Sequence, residues 1–523
     1  MNRLFQYGAE VLNISTAIAI SKGDIKGIIN NETREKIRRS SAVVEQIVAA
    51  DVAVYGINTG FGPLCTTMIS AADTKKLQEN ILKSHAVGLG APISEALSRL
   101  MLVLKLQALA QGYSGIREAT LDRIIWHLEE GIIPVVPSQG SVGASGDLAP
   151  LAHLFLPLIG LGKVYYGNKI MPAAEVLQQK GVQPLVLEAK EGLALINGTQ
   201  FIAAHAAEMV TRFQNGLATA DITGTLMLEG LKGSAKPFLP QLHELRPFKG
   251  CQYVAATIHN LLSDSEIVPS HANCTRVQDP YSLRCIPQVH GAARNAWLHL
   301  KELVEIEINS VTDNPVVINE NLTISGGNFH GEPLAIPLDY ACIAASEIGN
   351  IADRRIYLSL EGAVPGVPKL LVKETGLNSG FMILQYASAA LVSENKSLCF
   401  PASADSIPTS LGQEDHVSMG SISGRKALQV MENAEKIIGI ELMCAVQAID
   451  FLAPLKPGKI LQAVHAYVRS QIPHIEQDVV LYEFMQQAIA IVQSGELPKL
   501  AYAVSAKEGV PYKTPFTQLF DLF

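Results

Sequence analysis

The rhythm of apolar positions changes near residue 199. From Thr199 onward, long stretches repeat at helical spacing: Ala203 to Leu231, Ala292 to Asn309, Pro337 to Leu360 and Ser423 to Leu452. In the last of these, Leu428, Met431, Ile438 and Leu442 share one face, while Lys426, Glu432, Glu435 and Lys436 are spread over other positions. Helices of this length bury their apolar stripes by packing into a bundle. Before Thr199 the chain is punctuated by turn signals such as Asn58-Thr59-Gly60 and Pro137-Ser138-Gln139-Gly140, which predict loops. Strand signals are brief, at Val164-Tyr165-Tyr166 and Val316-Val317-Ile318. No internal repeat or low-complexity segment interrupts the pattern. The expected fold class is mainly α: a loop-rich catalytic domain over residues 1–198, then a long-helix bundle over 199–523.

Composition narrows the functions such a body can serve. Among 523 residues, 48% are hydrophobic and only 17% charged, too apolar for disorder and sparing in charge for a solvated monomer. A homo-oligomer is therefore expected. The formal net charge of -8, with no Lys/Arg run, argues against a nucleic-acid partner. The seven cysteines are scattered, without a Cys-x-x-Cys pair, as expected of reduced thiols in a cytoplasm. No secretory pattern is visible over Met1 to Ile20. The longest apolar stretch, Leu148 to Gly162, is broken by Pro150, His153 and Pro157 and is too short to span a bilayer. The expectation is a soluble cytoplasmic protein with no membrane partner.

The most unusual local sequence is Gly140-Ser141-Val142-Gly143-Ala144-Ser145-Gly146-Asp147-Leu148, small residues leading into an apolar helix. As an anion cradle it lacks the Lys-Ser/Thr of a P-loop and the spacing of a dinucleotide fingerprint. As a hydrolase elbow around Ser145 it is one residue short of Gly-x-Ser-x-Gly. It also reads as a tight turn before a buried helix. The segment alone leaves these readings open.

Five further segments change that: Tyr55-Gly56-Ile57-Asn58-Thr59-Gly60-Phe61-Gly62, Ile196-Asn197-Gly198-Thr199-Gln200, Gln278-Asp279-Pro280-Tyr281-Ser282-Leu283-Arg284-Cys285, Gly327-Asn328-Phe329-His330 and Gln413-Glu414-Asp415-His416-Val417-Ser418-Met419. Together with Ala144-Ser145-Gly146, and in this order across nearly the whole chain, they resemble the aromatic amino acid ammonia-lyases. The resemblance implies the fumarase/aspartase-like, ammonia-lyase type of helical fold. It also implies that Ala144, Ser145 and Gly146 cyclise to a methylidene-imidazolone (MIO), with no metal and no diffusible cofactor. The residue types suit that chemistry. The Gly amide nitrogen attacks the Ala carbonyl, which needs a compressed backbone and no Cβ on the attacker, and loss of water from Ser leaves an electrophilic methylene. Attaching an amino acid to that carbon turns its nitrogen into a better leaving group.

By the same resemblance, Tyr55 on a mobile lid is the base for the β-proton, a task that needs a phenol ionising well below about 10. Arg284 pairs with the substrate carboxylate through its planar fork. Asn197 adds a carboxylate contact or holds the imidazolone oxygen, Tyr281 stands near the transferred proton, and Phe329 packs against the cofactor ring. Gln278 and Gln413 are hydrogen-bond partners behind these groups. Asp147 either orients the backbone for cyclisation or caps the following helix. The family also implies a homotetramer with each site assembled from three chains, so Tyr281 and Arg284 serve the imidazolone of another subunit.

Two places bear on substrate. Ser84-His85 occupies the family's side-chain selectivity position, and a polar pair suits an imidazole whose nitrogens need partners once buried. Glu414, in Gln-Glu-Asp-His, places a carboxylate where the phenylalanine and tyrosine enzymes carry Gln in Asn-Gln-Asp. Both point to L-histidine, eliminated without oxidation to ammonia and trans-urocanate, the opening step of histidine degradation. Three departures from the histidine pattern stand out: Gly331 in place of Ala, a methyl's difference; Gly412 in place of Asn; and Lys83 in place of an apolar residue. The competing readings are a tyrosine or phenylalanine ammonia-lyase, an MIO-dependent aminomutase, and a helical scaffold whose tripeptide never cyclises. A metal hydrolase built on His330, Glu332, Glu414 and His416 lacks the His-Glu-x-x-His spacing.

Overall fold

The computed structural model describes residues 4–50, 54, 56–60, 69–70, 73–272 and 276–521. Seven helices bear on the reacting turn and on the helical body: α1 (Glu95–Ala110), α2 (Leu148–Phe155), α3 (Glu191–Ile196), α4 (Gln200–Gly230), α5 (Ile286–Glu307), α6 (Glu332–Leu360) and α7 (Gly420–Asp450). The four long periodic stretches are α4 to α7, and the mainly α expectation holds. Helix α6 starts before Pro337, where the sequence suggested a start at that residue. At the sixth helical position Pro337 forfeits only the bond to the Pro333 carbonyl, so the first turn forms ahead of it.

The chain divides into two compact units that do not follow a single cut at residue 198. Unit one comprises Met1–Glu208, Leu300–Asp339 and Pro401–Arg425; unit two comprises Met209–His299, Tyr340–Phe400 and Lys426–Phe523. Each of α4 to α7 contains one of these boundaries. Periodicity reports where a helix begins, and the partition falls inside the helices instead.

Unit one holds every strand of the described residues. Leu4–Gln6 pairs in parallel with Lys26–Ile28. Leu89–Pro92 runs antiparallel to Pro137–Gln139, Lys163–Tyr166 lies between Ile133–Pro134 and Lys169–Pro172, and Val316–Asn319 turns back on Leu322–Ile324. Both strand signals of the sequence are thus strands. Helix α1 runs through this unit's interior. Ser94 caps it by accepting from the Leu97 amide at 3.2 Å. Twelve of its sixteen residues are buried, which explains its lack of a polar face and leaves Lys105 far from water.

Unit two is helical among the described residues. Trp297 of α5 is fully buried and donates its indole N–H to the Val210 carbonyl of α4 at 2.9 Å. Asp221 of α4 accepts from His290 Nδ1 at 2.7 Å and from Arg294, both on α5, while Arg355 of α6 pairs with Glu441 of α7 at 2.9 Å. All five of these charged or titratable groups are buried. Removing one member of such a pair costs about 3–5 kcal/mol, because the other is left charged and unpaired. These pairs hold the long helices in register.

Candidate active site

The small-residue segment ends in a tightly constrained turn. Gly146 has a φ of +73°, and a Cβ there would lie 2.0 Å from the Gly198 carbonyl oxygen. That carbonyl accepts from the Asp147 amide at 2.8 Å, and the Gly198 amide donates to the Ser145 carbonyl at 3.4 Å. Gly143, at φ +69°, is as confined: a Cβ would meet Ser418 Oγ at 2.1 Å. Further along the same edge, Met419 N–H donates to the Val142 carbonyl at 2.9 Å and Ser421 Oγ to the Ser141 carbonyl at 2.6 Å. The glycines are there because the Gly198 backbone, at Gly146, and the Ser418 side chain, at Gly143, occupy the space of a Cβ.

Around this turn, Ser145 Oγ donates to Glu414 Oε1 at 3.2 Å, and the Ser145 carbonyl also accepts from Asn197 Nδ2 at 3.4 Å. Asn197 Oδ1 is buried with no partner among the described residues. The other oxygen of Glu414 accepts from Thr409 Oγ1 at 2.9 Å and Ser410 Oγ at 2.7 Å. Left-handed backbone flanks Glu414 on both sides, at Ser410 (φ +50°), Leu411 (+57°) and Gly412 (+85°) before it and Met419 (+52°) after it. The three non-glycine residues cost about 1–3 kcal/mol each, and such strain gathers at functional sites. Gly412 in place of Asn is thereby explained, since Gly and Asn are the residues that most readily adopt this conformation.

Ser84 and His85 end the helix Thr74–His85, with Ser84 Oγ 3.0 Å from His85 Nδ1. Burial lowers the His85 pKa, while the Ile81 carbonyl and the charge of Glu414 draw it back up, so the ring lies within the field of that carboxylate. Lys83 faces solvent and pairs with Glu79 at 2.6 Å, so that departure lies on the surface. Gly331 is more than a methyl's difference: a Cβ would meet Ile202 Cδ1 at 2.5 Å and Ser418 Oγ at 2.7 Å.

Asp147 precedes α2 but makes no side-chain cap bond to it. Its carboxylate accepts instead from Ser141 Oγ at 3.1 Å and from the Ile202 amide at 3.0 Å, tying the turn to the start of α4. Burial pushes its pKa up to about 7 against these hydrogen bonds. Sequence reasoning missed a second buried group. Lys105 Nζ donates to the Asn197 carbonyl at 2.5 Å and approaches Gln200 Oε1 at 3.5 Å. Burial brings its pKa down to about 7, with Asp313 and Asp147 opposing that fall and Lys190 adding to it. Lys190 is itself buried and paired with Asp313 at 2.7 Å. A lone Lys inside Leu102-Val103-Leu104-Lys105-Leu106 was the signal available.

Ala144, Ser145, Gly146, Asp147, Asn197 and Glu414 are thus in contact or adjacent within unit one, with His85 in electrostatic reach. Phe329 is half-buried in the same unit, and Gln413 is exposed beside Glu414. Tyr281, Arg284 and Gln278 belong to unit two; Tyr281 is 71% exposed and Gln278 is also exposed. Tyr55 lies outside the described residues.

The turn fits the imidazolone that the tripeptide is expected to form. The attacking nitrogen belongs to a residue whose Cβ the site excludes, the carbonyl that becomes the ring oxygen has two donors, and the hydroxyl to be lost sits on a carboxylate.

The helical scaffold is one shared by solved ammonia-lyases and aminomutases. The solved histidine ammonia-lyase of Trypanosoma cruzi matches 99% of this chain and 97% of its own, with a TM-score of 0.89 and 40% identity. Tyrosine aminomutase from Streptomyces globisporus matches 98% of this chain and 100% of its own, with a TM-score of 0.91 and 32% identity. The chain belongs to the aromatic amino acid lyase family, whose model matches residues 12–470. The histidine ammonia-lyase of Myxococcus xanthus is 45% identical over 489 residues, 93% of this chain and 96% of that protein.

Proposed function

We propose that this chain is an ammonia-lyase acting on L-histidine, with its electrophile formed from Ala144, Ser145 and Gly146. The observation that carries the substrate is Glu414. A carboxylate held on the reacting serine, within the field of His85, suits an imidazole or an ammonium and is a poor neighbour for a phenyl ring. The relatives named as histidine ammonia-lyases support the same reading.

The methylidene-imidazolone, once formed, supplies an electrophilic carbon for attachment of the amino acid. The chain's residues bind and move protons around it. His85, whose lowered pKa favours the neutral ring, offers a nitrogen to the substrate imidazole, with Ser84 orienting it. Asn197 holds the Ser145 carbonyl through Nδ2, and its unpartnered Oδ1 is an acceptor for the ammonium. Glu414 takes a proton from the amine or holds the imidazole. Asp147 and Lys105 position the turn through Ser141, Ile202 and the Asn197 carbonyl. Tyr55 removes the β-proton, Arg284 clamps the carboxylate, Tyr281 assists near the transferred proton, Phe329 stacks on the ring, and Gln278 and Gln413 brace these groups.

Tyr281, Arg284 and Gln278 come from a neighbouring subunit of a homotetramer. The exposure of Tyr281 and Gln278 in the single chain supports this, as does the apolar surface at Val277 (102% exposed), Leu411 (93%) and Phe400 (80%). No helix among the described residues is long and apolar enough to cross a membrane. We place the protein in the cytoplasm, where its cysteines stay reduced.

The test is to incubate the purified protein separately with L-histidine, L-tyrosine and L-phenylalanine, following ammonia and each unsaturated acid, with Ser145→Ala as control. Urocanate from histidine alone, absent in the variant, is the expected result. Coumarate, cinnamate or a β-amino acid in its place overturns the substrate or the lyase assignment.

A further inference from the structure

His330, Glu332 and His416 meet in unit one, although no sequence spacing announces it. One ligand atom from each lies within 4.8 Å of the other two. The two imidazoles stack at 29° with centroids 5.5 Å apart, and His330 Nε2 is 3.5 Å from His416 Nδ1. Two nitrogens bound to one tetrahedral ion at about 2.0–2.1 Å stand about 3.3 Å apart, so this pair is already close to coordinating separation. Glu332 Oε2 is shielded from solvent and has no hydrogen-bond partner among the described residues, a carboxylate oxygen whose desolvation they leave without an answering donor. Of the four residues that the metal-hydrolase reading grouped, three converge here. The fourth, Glu414, turns to Ser145 instead.

We propose that His330, Glu332 and His416 bind one divalent transition-metal ion of the zinc class per chain. Two imidazoles and one carboxylate suit zinc, cobalt or nickel; calcium and magnesium demand more oxygen ligands than this site provides. Without an ion, His330 Nδ1 accepts from the Glu332 amide at 3.3 Å, which leaves the proton on Nε2, aimed at the His416 carbonyl at 3.4 Å. Both bonds are long. An ion takes the place of the Nε2 proton, the neutral ring then carries its proton on Nδ1 so that the weak bond accepted there is given up, and the unpartnered oxygen of Glu332 gains a cation. With three protein ligands, the fourth position falls to water. His416 lies two residues from Glu414. An occupied site therefore anchors one end of the strained segment that presents Glu414 to Ser145, coupling ion binding to the reacting turn without using the ion in the chemistry.

The experiment is titration of the purified, chelator-treated full chain with Co2+, read by visible absorption and calorimetry, followed by displacement with Zn2+. One equivalent per chain with the visible bands of a four-coordinate nitrogen and oxygen site is expected. His330→Ala and His416→Ala should abolish it, and Glu332→Gln should weaken it by at least about tenfold. Thermal melting checks that each variant folds; if the histidine variants do not, the Glu332→Gln titration decides alone. Absence of a stoichiometric site, affinity unchanged by Glu332→Gln, or thiolate-to-cobalt bands from the cysteines would overturn the proposal.

Discussion

Gly146→Ala tests whether the turn is built for ring closure. The added methyl would sit 2.0 Å from the Gly198 oxygen. The closest comfortable carbon–oxygen approach is about 3.3 Å, so the two segments must part by more than about 1 Å. That movement breaks the 2.8 Å bond from Asp147 N–H and the 3.4 Å bond to the Ser145 carbonyl. Two buried backbone bonds at about 1–1.5 kcal/mol each, plus about 1–2 kcal/mol for alanine at φ +73°, give a loss of about 3–5 kcal/mol. Urea unfolding followed by circular dichroism should show that loss. The ultraviolet band of the imidazolone should vanish in a difference spectrum against Ser145→Ala. The serine variant is the essential comparison, because it also lacks the band but adds no atom against Gly198 and loses only a hydroxyl that ring closure removes from the parent as well, and it should stay within about 1 kcal/mol of the parent. A Gly146→Ala protein with the full band and parental stability would show that the close approach to Gly198 has nothing to do with cyclisation.

Lys105→Met keeps most of the side-chain volume but strips the donor from the Asn197 carbonyl; the protein should fold about 1–3 kcal/mol less stably and acquire its ultraviolet band more slowly after expression. Parental maturation kinetics would remove Lys105 from the positioning of the turn. Glu414→Gln should lower kcat/KM for histidine by about 100-fold or more while leaving the melting temperature nearly unchanged, and an undiminished rate would refute its proposed role. Burial holds the pKa of His127 and of His205 down to about 4, below the ordinary 6.5. Between these values the unfolded chain binds protons that the folded chain refuses, so stability falls as pH drops through that window, by up to about 3 kcal/mol per histidine. Replacing His127 with Gln should flatten part of the slope in urea titrations at pH 7, 6, 5 and 4; an unchanged slope would show that another group is responsible.

How much of this was legible in the sequence depends on how local the cause is. Helices α4 to α7 could be read because periodicity belongs to the segment itself, and the strands at Val164 and Val316 because their β-branched runs end in turn residues. The division into units could not be read, because it depends on which distant segments return to pack on residues 1–208. The site divides in the same way. Ala144, Ser145 and Gly146 stand out because ring closure restricts the residue type at each position. Lys105 does not, because any buried donor facing the Asn197 carbonyl would serve, and the Lys190–Asp313 pair joins residues 123 positions apart. Gly331 shows the intermediate case. A small residue is visibly required there, but how small depends on Ile202 and Ser418, which the sequence places far away. Where chemistry dictates the residue the sequence shows it; where packing only asks that a polar group be answered, the partner emerges only when the chain is folded.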